Sequence, residues 1–120
     1  MALRALMAEL ERIHNHLNDW GFVCNDAAFA FPHARCGVLR EGVLRACAIA
    51  FGHRLMMDRI VPGGVAVDIT PEGPAVIRAA LDAVAAEIPA LERIYDGHAS
   101  LQDRVVGTGI VAASLVARFA

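Results

Sequence analysis

Basic residues never cluster in this chain, and a formal net charge of −2 leaves no cationic footprint. With no basic run interleaved with aromatics, nucleic-acid binding has no support. Charge of either sign is scarce: 20% of the residues are charged and 57% are apolar, where roughly a quarter charged is usual for a globular domain. Much of that apolar surface is expected to meet another molecule. No apolar run reaches the roughly 18 residues a membrane span needs, because Arg4, Arg12, Arg40, Arg54 and Arg78 interrupt the helical segments. The N-terminus lacks the basic-then-apolar pattern of a secretory signal, since charges recur from Met1 to Asn18 at helical spacing. A cytosolic setting fits best. Neither GxGxxG nor a P-loop pattern occurs, so Gly63-Gly64 alone is a weak sign of phosphate binding. Cys24, Cys36 and Cys47 are odd in number and match neither a disulfide framework nor CxxC knuckles. They read as buried free thiols.

What is present is helical periodicity. Leu3, Leu6, Met7, Leu10, Ile13, Leu17 and Trp20 recur at steps of three and four, predicting an amphipathic helix from Ala2 to Trp20 that stops at Gly21. His14 and His16 sit two apart on that helix, point to nearly opposite sides and cannot share a metal ion. One of them can face the core and donate a hydrogen bond to a partner such as Asp26. The run Phe22 to Phe31 then sets a single carboxylate, Asp26, among apolar and aromatic residues. A carboxylate in such surroundings must be hydrogen-bonded, paired, protonated or open to a wet cavity. Capping a second helix is the structural alternative for Asn25 or Asp26.

Pro32 marks either a kink or the end of a loop. From Arg35 to Phe51 apolar positions cover more than half the circumference, predicting a helix buried on several sides, closed by Gly52. Within it Glu41 stands four before Arg45, as in an ordinary surface pair. Pro62-Gly63-Gly64 predicts a corner, and Val65 to Ile69 alternates like a strand. A further helix starts near Pro71 to Ala75 and runs to about Tyr95, with Pro89 expected to bend or divide it. His98, Asp103 and Arg104 fall in a polar connection or short helix, and Ile110 to Phe119 forms an apolar last segment. The expected class is mainly α: one domain over residues 1–120, a bundle of four to five helices with a Pro-Gly-Gly corner.

Read as one string, Glu9-Leu10-x-Arg12-Ile13-x-x-His16-Leu17, then Asp26, Pro32, Arg40-Glu41, Gly52-x-Arg54-x-Met56 and Pro62-Gly63-Gly64-Val65-x-x-Asp68 carry a specific pattern. The pattern resembles the large subunit of membrane-bound, formate-hydrogenlyase-type nickel–iron hydrogenases and the homologous, hydrogenase-derived subunit of respiratory complex I, the NADH-quinone oxidoreductase. The register holds without a gap from His16 to Asp68, and Arg104 and Gly109 keep it. Asn25-Asp26-Ala27-Ala28 and Phe51-Gly52-His53-Arg54 look closer to the hydrogenase branch. The two CxxC motifs that hold nickel and iron in that family are missing, so the chain resembles an excised middle segment of a longer subunit.

The resemblance implies that Asp26 faces a quinone cavity and couples protonation to redox chemistry; such a carboxylate can pass its proton on through a histidine, with His16 the candidate, or through water. It assigns Glu41, Arg54, Asp68 and Arg104 to a buried ion-pair network, with Arg40 beside Glu41, and gives Gly63 and Gly64 the role of tight packing at the corner. It implies no cofactor in these residues, a nickel–iron centre in the parent and an iron–sulfur cluster in a partner subunit. The implied partners are an iron–sulfur small subunit and membrane subunits, holding the protein on the inner face of the cytoplasmic membrane. Alone, the chain is expected to be inactive and to self-associate through faces left bare. The competing expectation is a helical interaction module with no redox role.

Overall fold

The computed structural model describes residues 2–119. The first helix, α1 (Ala2–Asp26), buries Met7, Leu10 and Leu17 on the expected stripe, with Leu3, Leu6, Ile13 and Trp20 packed at its edge. Gly21 does not stop it. A Cβ at Gly21 would stand 3.2 Å from the Cβ of Cys36 and 3.2 Å from the Cα of His33. Glycine is there to let a second helix come close, and the α1 backbone continues through it to Asp26.

That second helix, α2 (Ala30–Phe51), begins at Ala30 rather than Arg35 and carries Pro32 in its first turn, where a missing N–H costs little. Its N-cap is Phe29, which makes no side-chain cap bond. Asn25 and Asp26 therefore do not cap α2; they belong to the last turn of α1. Gly52, at φ 74°, closes α2 as expected and donates its N–H to the Ala48 carbonyl. Leu39, Val43, Leu44, Cys47, Ala50 and Phe51 are buried, because α1 packs on one side of α2 and α3 on another. Burial is not complete round the helix, for Phe31, Val38 and Ile49 are half exposed or more.

The expected corner is a short antiparallel hairpin of β1 (Ile60–Val61) and β2 (Gly64–Val65), pairing Ile60 with Val65 and Val61 with Gly64. Pro62 and Gly63 form its turn, and the φ of 88° at Gly63 is one that glycine adopts without strain. The strand-like alternation from Val65 to Ile69 overstates the sheet, which ends at Val65. Ile69 instead packs over the start of α3 (Gly73–Gly97), where a Cβ on Gly73 would run into it. Pro74 sits in the first turn of α3 as expected. Pro89 does not divide that helix. Pro89 and Ala85, whose carbonyl loses its intrahelical donor, are both exposed, so water can satisfy the freed group.

Arg35 fastens α2 to α3 through a two-pronged pair with Glu87, at 2.6 and 2.9 Å. This pair holds the Glu87 carboxyl below the ordinary carboxylate range. Beyond α3 come two short helices, α4 (Ala99–Val105) and α5 (Ala113–Phe119), the latter with no buried residue. The whole forms a thin slab, 47 × 38 × 18 Å, with a radius of gyration of 17.5 Å. A compact chain of this length has a radius of about 14 Å.

Two glycines separate close approach from open space. Gly21→Leu is expected to lower unfolding free energy by about 1–3 kcal/mol in urea denaturation. At Gly42 an added Cβ meets nothing within 4 Å, so Gly42→Ala is expected to raise it by about 0.5–1 kcal/mol. A second expectation concerns acid. Because Glu87 titrates lower folded than unfolded, its contribution is present above the ordinary carboxylate range and lost as pH falls through the folded value. Thermal melts of Glu87→Gln should fall below those of the native chain at neutral pH and converge with them at acid pH.

Candidate functional site

Asp26 closes α1 at the corner where the chain turns into α2. The N–H of Ala27 bonds back to Val23 O at 3.2 Å and that of Phe29 to Cys24 O at 2.8 Å, while Ala28 takes φ 63°. A left-handed residue of this kind ends a helix and reverses the chain in few residues. The Asp26 side chain is exposed and makes no ion pair or hydrogen bond among the described residues. Around it Phe22, Val23 and Phe31 are 48%, 45% and 50% exposed. The carboxylate thus belongs to an open apolar surface.

Two groups from far along the chain fix this corner. Arg104 donates from Nη1 to the Ala27 carbonyl at 2.7 Å. His98 lays its ring on Phe29, centroids 4.0 Å apart and 22° between planes, while its Nδ1 accepts the Leu101 N–H at 3.1 Å and caps α4. Arg104, expected in an ion-pair network, instead grips the backbone next to Asp26. The stack of Phe29 on His98 had no signal in the sequence, because the two residues meet only once α3 has folded back along α2.

The two histidines of α1 separate. His14 is buried and His16 is exposed. His14 is in phase with Leu10, Leu17, Gly21 and Cys24, the buried positions of α1, so the periodicity itself marks it as the inward one. Among the described residues neither of its ring nitrogens has a hydrogen-bond partner, nor does Nε of the nearby Arg40 on α2. Burial, aided by the Arg40 charge, pushes the His14 pKa down. His16 lines an apolar groove between α1 and α3 with Ile13, Leu17, Trp20, Val84 and Ile88, and with Glu92 at its rim. By the 1.5 Å rise per residue, His16 lies about 15 Å along the helix from Asp26. The structure does not bring them together.

Of the remaining residues of the expected network, Glu41 and Arg54 do pair, but at the surface, and Asp68 stands apart. Glu41 accepts from Arg45 at 2.9 Å and Arg54 at 2.6 Å, a surface cluster that holds the Glu41 carboxyl low, chiefly through the Arg45 bond. Asp68 is exposed and outside that cluster. The correction is physical: these groups join loop to helix at the solvent boundary, where water relieves them of any need for a closed network. Gly63 serves the hairpin turn, and Gly64 has open space where its side chain would be, so neither is a tight packing point.

Cys24, Cys36 and Cys47 are free and buried. Burial pushes all three thiols up, Cys36 and Cys47 to about 11. A metal needs thiolates converging with other donors. Among the described residues no three His, Cys, Asp or Glu side chains converge in this way. The donor set of the described residues therefore does not fit a nickel–iron centre.

The sequence pattern of the family described as respiratory-chain NADH dehydrogenase, 49 Kd subunit, matches residues 30–120. The chain belongs to that family. Its curated relatives include an NADH-quinone oxidoreductase subunit of Roseiflexus sp. (strain RS-1), 30% identical over 110 residues, which cover 91% of this chain and 29% of that protein. A second is the alpha subunit of the membrane-bound hydrogenase of Pyrococcus furiosus, 25% identical over 113 residues, 94% of this chain and 26% of that protein. The chain thus spans less than a third of the length of these relatives. No solved structure matches it. The family match starts at α2, leaving Asp26 and His16 just outside it.

The unpaired His14 yields a test of stability. A buried imidazole without partners adds desolvation cost, so His14→Leu is expected to match or exceed the native chain in urea denaturation at neutral pH. The folded pKa lies below the unfolded value of 6.5, so the native chain gives up stability as pH falls below 6.5 towards the folded value. The leucine variant should lack that part of the slope.

Proposed function

We propose that this chain is the helical segment of an electron-transferring oxidoreductase subunit in which Asp26 takes up and releases a proton in step with redox chemistry. One observation carries the reading: a lone carboxylate stands at a corner held by Arg104 and His98, within an apolar surface formed by Phe22, Val23 and Phe31. Once the rest of a subunit more than three times as long covers that surface, the carboxylate lies in an apolar wall beside the reacting groups, where it can take up and release a proton. His16, apart from Asp26 in this segment, serves that path only through water or through groups of the longer subunit.

Membership of the family and the names of the two relatives support the reading, one a quinone oxidoreductase subunit and the other a membrane-bound hydrogenase subunit. The reaction is accordingly quinone reduction or hydrogen evolution. The residues Asn25 to Ala28 and Phe51 to Arg54 lean to the hydrogenase type. In that case residues beyond these 120 hold the nickel–iron centre, because the thiols present here are buried and protonated. Electrons enter or leave through an iron–sulfur small subunit. Membrane subunits hold the protein at the inner face of the cytoplasmic membrane; no helix among the described residues is itself long and apolar enough to cross one. The isolated segment, lacking the rest of the cavity, turns over no substrate.

In the full-length subunit, Asp26→Asn is expected to lower turnover by about tenfold or more with the complex still assembled, and Asp26→Glu to restore part of it. Complex assembly on native gels and hydrogen or quinone turnover across pH are the measurements. Turnover unchanged in rate and pH profile would take Asp26 out of the proton path.

A further inference from the structure

The packing of α1 on α2 puts two unpaired polar groups at one level. Gly21 rests on His33 and Cys36, and the two helices run antiparallel across the short turn from Ala27 to Phe29. Seven residues back along α1 is His14, and seven residues on from His33 and Cys36 along α2 are Arg40 and Val43. This register sets His14 against Arg40, and the imidazole accordingly feels the Arg40 charge. His14 is 4% exposed, and neither its ring nitrogens nor the buried Nε of Arg40 has a hydrogen-bond partner among the described residues. Arg40 makes no ion pair there either. Glu11 is the other charged group that acts on His14, but it is exposed and pairs with neither.

We propose that His14 and Arg40 form a binding site for one carboxylate, seated on the Nε edge of Arg40 and accepting the imidazole N–H of His14. A guanidinium only donates, and its Nε and one Nη form an edge that fits the two oxygens of a carboxylate. The chain itself shows this fit at Arg35, whose Nε and Nη2 meet the two oxygens of Glu87 at 2.6 and 2.9 Å. A neutral imidazole supplies one further N–H. A carboxylate accepts from both groups and offsets the Arg40 charge, which a neutral ligand does not. Arg40 is half buried, so an acidic group reaches the site from the arginine side. An unpaired buried cation is costly, and occupancy therefore strengthens the α1–α2 contact. Two sources share this chemistry: a small carboxylic acid from solution, and an Asp or Glu side chain from the part of the longer subunit outside these residues. His14 lies about 18 Å along α1 from Asp26, and the site does not rest on the redox reading.

NMR of the His14 imidazole in the 120-residue chain, with acetate as the probe, tests the first source. Exchanging chloride for acetate at constant ionic strength is expected to shift the His14 ring resonances saturably and to raise the His14 pKa by about one unit, because a carboxylate favours the imidazolium. Arg40→Gln should abolish both effects. Arg40→Lys, which keeps the charge but not the edge, should weaken acetate binding by about tenfold, and Glu11→Gln should leave it unchanged. The second source is read from melting temperatures of the full-length subunit. There His14→Leu and Arg40→Gln should each lower the midpoint and the double variant lower it no further, since either change alone unseats the same carboxylate. A response to acetate that survives in the full-length subunit assigns the site to a small acid; non-additive losses with no such response assign it to a side chain. The proposal is overturned if chloride acts as acetate does, if the Arg40→Gln chain still responds, or if acetate has no effect and the full-length variants melt as the native subunit does. In that last case a bridging water serves the two groups.

Discussion

The contact on which the rest depends is the close approach of α1 and α2 at Gly21. With Cys36 and His33 pressed against the bare Cα of Gly21, the two helices lie near enough for Leu10, Leu17, Leu39 and Val43 to share one core. That approach sets the position of everything attached to α2. Arg35 reaches Glu87 from its first turns and so aims α3, and the far end of α3 brings His98 and Arg104 back to the α1–α2 turn. Widening the first contact by a methyl group or two shifts each later contact along the same chain of supports.

The same contact accounts for the polar oddities. Drawing α1 and α2 together traps His14 and the Arg40 Nε without partners, and seals three thiols away from solvent. Buried polar groups left unpaired reduce stability, so close packing along α1 and α2 must outweigh them. The charged side chains that do find partners sit at the margins, at Arg35 with Glu87 and around Glu41, where water still helps to solvate them.

Much of the fold was legible in the sequence because α1 and α3 carry simple stripes, and Gly52 and Pro74 act where their stereochemistry favours them. The points at which sequence and structure part have a common physical origin. The roles of Gly21 and of the apolar run after it depend on what lies across a helix interface, which neighbours in sequence do not reveal. Glycine serves equally to end a helix and to admit another, and only the partner decides. The apolar run from Phe22 to Phe31 implied burial for Asp26, but it straddles a helix end and a turn, so its residues fan out to solvent. His14 was readable as the inward histidine from its phase with Leu10 and Leu17. The pairing of Arg35 with Glu87 and the grip of Arg104 on Ala27 join positions too distant for any local pattern.

The grip of Arg104 on Ala27 joins residues 77 apart in sequence, and this separation orders the folding of the chain. A hairpin of α1 and α2, joined by the short turn from Ala27 to Phe29, closes a short loop and forms early, whereas the last clasp must wait until α3 has docked and a long loop has closed. What forms last also opens first. In hydrogen exchange, α4 and the turn it covers should behave as a separate low-stability unit, detaching while the α1–α2 pair stays protected. Asp26 lies at the seam between these two units, so a transient opening of the clasp changes its surroundings without unfolding the core.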